Sequence, residues 1–291
     1  MLRDITIGQY YPAKSVIHRL DPRVKLFATL IFIVSMFLFK TFVGYIVAGI
    51  ALITVIKMSK VPFKFIVKGL KTIWMLLCFT LIFNVILTDG TILFEWKFIK
   101  ISIEGIRNAI FMGFRLFFLI IGSSLMTLTT TPNQLTDGME TGLRGLKKIK
   151  IPVHEMAMMM SIALRFIPIL MEETDKIMKA QSARGADFEE GKLMERIRAL
   201  VPIFVPLFIS AFRRANDLAM AMEARCYRGD NNRTRMNPLK YKKEDGLAYL
   251  SLVLYVAILI VADRTLGPIA ESPITKLSTS LSAMVHIFNC L

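Results

Sequence analysis

The sequence predicts an all-α, polytopic integral membrane protein with about five or more transmembrane helices and long cytoplasmic helices. Three observations predict it. Of the 291 residues, 54% are hydrophobic and the mean hydropathy is +0.54, yet the formal charge is +15. Such a combination requires apolar and basic residues to be segregated along the chain, as they are when a membrane is the solvent for one part only. Apolar runs recur through the first 128 residues and again near 247–262, and the basic stretch 129–245 lies between them. That basic stretch holds two long helical patterns ending in nearly the same three residues.

In order along the chain, His18-Arg19-Leu20-Asp21-Pro22-Arg23 leads straight into the first apolar run, with no small-residue cleavage site after it, so the N-terminus reads as retained. Runs at about 24–39 and 42–56 are separated by little more than Lys40 and Thr41, which suits a tight turn. A basic loop with Lys57, Lys60, Lys64, Lys68 and Lys71 precedes runs near 69–87 and 106–128. Several runs fall a little short of the roughly 20 residues of a perpendicular span. The boundaries predict an N-terminal membrane region over 1–128, a cytoplasmic helical region over 129–245, and a C-terminal span and tail over 246–291.

Charge sets the orientation. With the N-terminus inside, the N-terminal segment holds 5 lysines and arginines, the 57–71 loop 5 and the 129–245 segment 20, against 5 outside. This asymmetry follows the positive-inside rule and accounts for the basic excess without nucleic acid. Cys78, Cys226 and Cys290 form no CxxC spacing, so neither a disulfide framework nor a zinc site is indicated. Arg115 lies within the fourth apolar run, where an arginine either faces a partner or watery interior, or snorkels to the interface.

In 129–245, Thr131-Pro132 reads as a helix N-cap with proline in the first turn. A long helix follows from about 154, with Met156, Met160, Ala163, Ile167 and Leu170 on one face and Glu172→Lys176 and Asp175→Lys179 pairs in favourable order. A second helical pattern covers about 192–226, with a kink or break expected at Pro202 and Pro206. Nine of the 18 methionines fall between Met156 and Met222. They fit a packing surface that adapts as well as they fit ordinary gap-filling.

The two helical patterns end in Ala183-Arg184-Gly185 and Ala224-Arg225-Cys226. Stepping back by three and four residues from Arg184 gives Gln181, Ile177, Thr174, Leu170 and Ile167; from Arg225 it gives Met222, Leu218, Ala215 and Ala211. Each arginine therefore closes a mostly apolar stripe. One reading is a helix end, with the cation complementing the dipole and glycine supplying the left-handed cap. Cys226 fits that reading less well, and Gly229 is then the expected terminator. The other reading is a ligand for a groove on another chain, with the arginine fork seated on a carboxylate.

Enzymatic chemistry finds little support. His18, His154 and His286 have no metal-ligand spacing, and the string Gly185 to Lys192 departs from a phosphate-binding loop in glycine spacing and at Leu193. A membrane-embedded enzyme acting on lipid or isoprenoid needs acidic or histidine clusters near the spans. A stand-alone carrier needs a polar path, and the spans offer little beyond Asn84, Arg115, Ser123 and Ser124.

Several motifs in order give the chain a resemblance: His18-Arg19-Leu20-Asp21-Pro22-Arg23, Thr129-Thr130-Thr131-Pro132, Pro152-Val153-His154-Glu155, Ala163-Leu164-Arg165-Phe166-Ile167-Pro168, Gln181-Ser182-Ala183-Arg184-Gly185-Ala186, and Phe212-Arg213-Arg214-Ala215 leading to Glu223-Ala224-Arg225-Cys226-Tyr227-Arg228-Gly229. Over nearly its whole length it resembles the transmembrane T component of energy-coupling factor (ECF) transporters. The resemblance implies a bacterial cell-membrane scaffold with a cytoplasmic N-terminus. It implies that Ala183, Arg184, Gly185, Ala224, Arg225 and Cys226 are coupling-helix tips for two cytoplasmic ATP-binding-cassette subunits. Those subunits would bind ATP and magnesium, and this chain would carry no cofactor, metal or catalytic residue. A separate integral membrane S component would bind the substrate, a vitamin, another micronutrient or a transition-metal ion. Cys226 stands where the family usually has glycine, and the tail from Asp263 to Leu291 is longer than usual.

Overall fold

The computed structural model describes residues 10–39, 41–88, 92–96, 99–143, 145, 150, 152–186, 193–227, 229 and 239–265. The helices in order are α1 (Val16–Arg19), α2 (Pro22–Leu38), α3 (Phe42–Ser59), α4 (Phe63–Leu87), α5 (Ile103–Thr129), α6 (Pro132–Gly142), α7 (Val153–Ala183), α8 (Leu193–Ala224) and α9 (Lys243–Thr265). Among the described residues the fold is all-α apart from one antiparallel hairpin between α4 and α5, β1 (Ile92–Trp96) and β2 (Ile99–Ser102), with Glu95 opposite Lys100 and Trp96 opposite Ile99. The chain forms two compact units. One is Gln9–Thr131 with Leu239–Leu291; the other contains Pro132–Pro238.

Four helices among the described residues are long and apolar enough to cross a bilayer: α3, α5 from Glu104, α7 and α9. At 17 residues, α2 spans about 26 Å. Large apolar side chains are exposed on the helices, including Met75 of α4 and Leu247, Leu250 and Val253 of α9, each more than 60% exposed. In water such a surface would drive aggregation, whereas against lipid tails it is the ordinary exterior of a membrane helix. Tight packing lies between helices. Leu52 of α3, Val61, Ile66 of α4, and Ile121, Leu125 and Leu128 of α5 form one buried cluster. Met36, Phe39, Tyr45, Ala48 and Leu259 of α9 form a second. At Gly122 two helices approach closely, since a Cβ there would meet the Phe32 ring at 2.7 Å.

Two expectations change. Lys64, Lys68 and Lys71 lie on α4, which begins at Phe63 before the apolar run, rather than in a loop. The helix α8 continues through Pro202 and Pro206 without interruption. The two prolines stand one turn apart; each removes one backbone donor and crowds the carbonyl four residues earlier, which bends a helix without ending it. Separately, α7 has an 18-residue apolar window before its charged half starts at Glu172, and by length and composition alone it is among the candidate spans.

A polar node anchors the first unit where α2, α5 and α9 meet. The Asp21 carboxylate accepts the Arg23 N–H at 2.9 Å and so caps α2, whose Pro22 sits in the first turn. Asp245 is 1% exposed and accepts two backbone N–H groups, from Asp21 at 2.8 Å and from Lys242 at 2.7 Å. The second bond is the returning half of a capping box at the start of α9. The buried Lys25 ammonium donates to the carbonyls of Thr129 (2.9 Å) and His18 (3.3 Å), satisfying the exit of α5. Arg23 adds a face-on contact with Tyr241, its Cζ 5.0 Å from the ring centroid. On the other side of the node, His18 Nε2 donates to the Tyr11 carbonyl at 3.0 Å and its Nδ1 lies 2.7 Å from the Ser15 hydroxyl. Burial holds the His18 pKa below the usual imidazole value.

Arg115 is aimed into its own unit. Its Cζ lies 5.4 Å from the Phe37 ring centroid on α2, and its Nε is buried without a hydrogen-bond partner. An aromatic face offsets part of the cost of a desolvated guanidinium.

Candidate functional site

The ends of α7 and α8 carry the candidate site, and their backbones close in the same way. At the first, Gly185 N–H donates to Ser182 O at 3.0 Å and Ala186 N–H to Gln181 O at 3.0 Å. At the second, Cys226 N–H donates to Glu223 O at 2.8 Å and Tyr227 N–H to Met222 O at 3.0 Å. Both are Schellman motifs, with the arginine as the last half-helical residue and the next residue left-handed. Gly185 has φ +89° and Cys226 φ +56°. Cys226 therefore occupies the left-handed cap itself, correcting the expectation that Gly229 would end this helix. The 6→1 bond from Tyr227 to Met222 fixes the turn, and the cysteine adopts what the turn requires.

Because backbone N–H groups do the capping, the arginine side chains are not needed for it. Ala183, Arg184, Gly185, Ala224, Arg225 and Cys226 are all exposed. Neither guanidinium has a hydrogen bond or ion pair among the described residues. Each tip thus presents a cation beyond the final turn, where the last carbonyls supply the negative end of the helix dipole. The fork is open for a planar anion such as a carboxylate.

The structure brings the two tip helices into contact away from their ends. Arg214 of α8 donates to Glu173 of α7 at 2.9 Å, an ion pair that the sequence reading did not single out. His154 Nδ1 lies 2.9 Å from Glu140 Oε1, tying the start of α7 to α6. Elsewhere the helices are open. Phe204, Phe208 and Phe212 line one face of α8, each more than 60% exposed.

The cobalt transport protein family, CbiQ, matches residues 13–236. Similar proteins include the energy-coupling factor transporter transmembrane protein EcfT of Clostridium kluyveri, 55% identical over 264 residues, which cover 90% of this chain and 98% of that protein. The chain belongs to this family of energy-coupling factor transporter transmembrane proteins. Its other relatives include the proteins of the same name from Ruminiclostridium cellulolyticum, 50% identical over 263 residues (90% of this chain, 98% of that one), and Bacillus subtilis, 48% identical over 260 residues (89% and 98%). As a family member the chain is a multi-pass transporter T component, and the apolar exteriors of its long helices follow from that setting.

Proposed function

We propose that the chain is the coupling scaffold of an energy-coupling factor importer, joining two cytoplasmic ATP-binding-cassette subunits to an integral membrane S component. The ATPase subunits bind ATP and magnesium. Arg184 and Arg225, with their flanking Ala183, Gly185, Ala224 and Cys226, dock one into each ATPase. The S component carries the substrate, a vitamin, another micronutrient or a transition-metal ion. In this reading residues 1–128 and 246–291 are the membrane regions of a bacterial plasma-membrane protein, and 129–245 is the cytoplasmic coupling region. The N-terminus lies inside, as the distribution of lysine and arginine favours.

One observation carries the reading: two exposed arginines sit on two tips of the same cap geometry, and two like tips suit two like sockets. A tip that transmits movement must be held in tension and in compression, which a forked, charge-assisted bond to a groove carboxylate provides. Truncating one partner of such a buried pair costs about 2–5 kcal/mol. Arg184→Ala and Arg225→Ala should therefore each lower transport and ATPase recovery on purification, and the double variant should release the ATPases. Lysine at either position should rescue only in part, since it lacks the fork. Variants that bind the ATPases normally, but unfold more readily as isolated subunits, would leave the arginines with a folding role alone.

A further inference from the structure

The ion pair between α7 and α8 stands at the same register on both helices. Glu173 is eleven residues before Arg184, and Arg214 is eleven residues before Arg225. Each tip is thus the end of an arm about 16 Å long measured from the pair. Neither arm contains proline or glycine, so neither has a built-in kink.

Connectivity fixes how the arms diverge. Ala183 lies about 15 Å beyond Glu173, and Leu193 about 32 Å before Arg214, for straight helices. Parallel helices would put Ala183 and Leu193 about 47 Å apart, but ten peptide steps reach about 36 Å at most. For straight helices the directions therefore differ by about 90° or more, which sets the two tip arginines about 25–34 Å apart.

Little apolar packing holds that angle. Among the described residues Ala157 is the buried one on α7 and Ile203 the buried one on α8, and both lie far from the pair in sequence. The Arg214 Nε is buried with no hydrogen-bond partner, so its guanidinium is seated against protein while its terminal nitrogen holds Glu173.

We infer that Glu173 and Arg214 are positioning residues, a brace that fixes the spread of the two tips so that motion of one ATPase is passed to the other arm and not lost in scissoring. This rests on the docking role of the tips given above. An ion pair with side chains 39% and 29% exposed adds little to folding stability, so its removal separates positioning from folding.

The test uses the complete transporter in liposomes, with spin labels on ketone-bearing amino acids at Lys179 and Met220, both exposed and near the tips. The unaltered pair should give a narrow distance distribution. Glu173→Gln or Arg214→Gln should broaden it and lower transport per ATP hydrolysed about threefold or more, with the ATPases still co-purifying. The exchange Glu173→Arg with Arg214→Glu should restore both. Single variants with unchanged distances and unchanged transport per ATP would overturn the brace, and so would an exchange that restores neither. The two proposals fail separately. If Arg184→Ala and Arg225→Ala leave the ATPases bound, docking fails; if they release them while Glu173→Gln and Arg214→Gln stay fully coupled, the brace alone fails.

Discussion

Replacing Cys226 by glycine should stabilise the isolated subunit. The residue holds φ +56°, where a side chain costs about 1–2 kcal/mol through the clash of Cβ with the following carbonyl. Glycine removes that clash but adds about 0.5–1 kcal/mol of unfolded-state freedom. The net gain is about 0.5–1 kcal/mol, a rise of about 1–3 °C in the unfolding midpoint for a chain of this size. The reverse change at the partner tip isolates the same term. A Cβ at Gly185 would meet no atom within 4 Å, so Gly185→Ala is penalised by its φ of +89° alone and should lower the midpoint by a similar amount. The double exchange Gly185→Cys with Cys226→Gly should then lie close to the starting protein. Thermal unfolding in detergent at a fixed scan rate reads all three, and ATPase recovery should be unchanged in Cys226→Gly because the arginine keeps its place. A lower midpoint for Cys226→Gly, or an unchanged one for Gly185→Ala, would refute the shared cap geometry.

Asp245→Ala should destabilise the membrane unit by about 3 kcal/mol, because it strands the buried Asp21 N–H and opens the α9 cap; Asp245→Asn should retain part of this, read by the same unfolding assay. His18 should make stability fall as the pH drops below the usual imidazole value near 6.5, since the folded state resists the proton that the unfolded chain accepts; His18→Gln should flatten that dependence. In a cysteine-free chain, His286→Cys should react with an impermeant thiol reagent on intact cells and Asn232→Cys should not. The opposite pattern would reverse the proposed orientation.

The helical character and most spans were legible because hydrophobic runs of span length have few other readings. The tips were legible as well, since the same short word closes both helices. What joined them was less so. The 41-residue interval that separates Arg184 from Arg225 also separates Glu173 from Arg214. The sequence, however, offers Glu172, Glu173 and Asp175 within one turn and does not say which faces α8. Likewise, His18-Arg19-Leu20-Asp21-Pro22-Arg23 stood out as a motif, but Asp245, which holds the Asp21 amide, lies 224 residues away. The hairpin at 92–102 was missed because two strands of five and four residues carry too few positions to show alternation. Cys226 misled for a different reason: cysteine has no preference for the left-handed region, and hydrogen bonds from its neighbours impose the turn.

In the proposed transporter two like arginine tips each engage one ATPase. Photo-crosslinking amino acids at positions 184 and 225, incorporated singly and together in the complete transporter in living cells, test it most directly. One ATPase adduct is expected from each position, and a single species carrying both ATPases when the two are combined. Lipid adducts alone, or adducts to one and the same ATPase subunit from both positions, would contradict it.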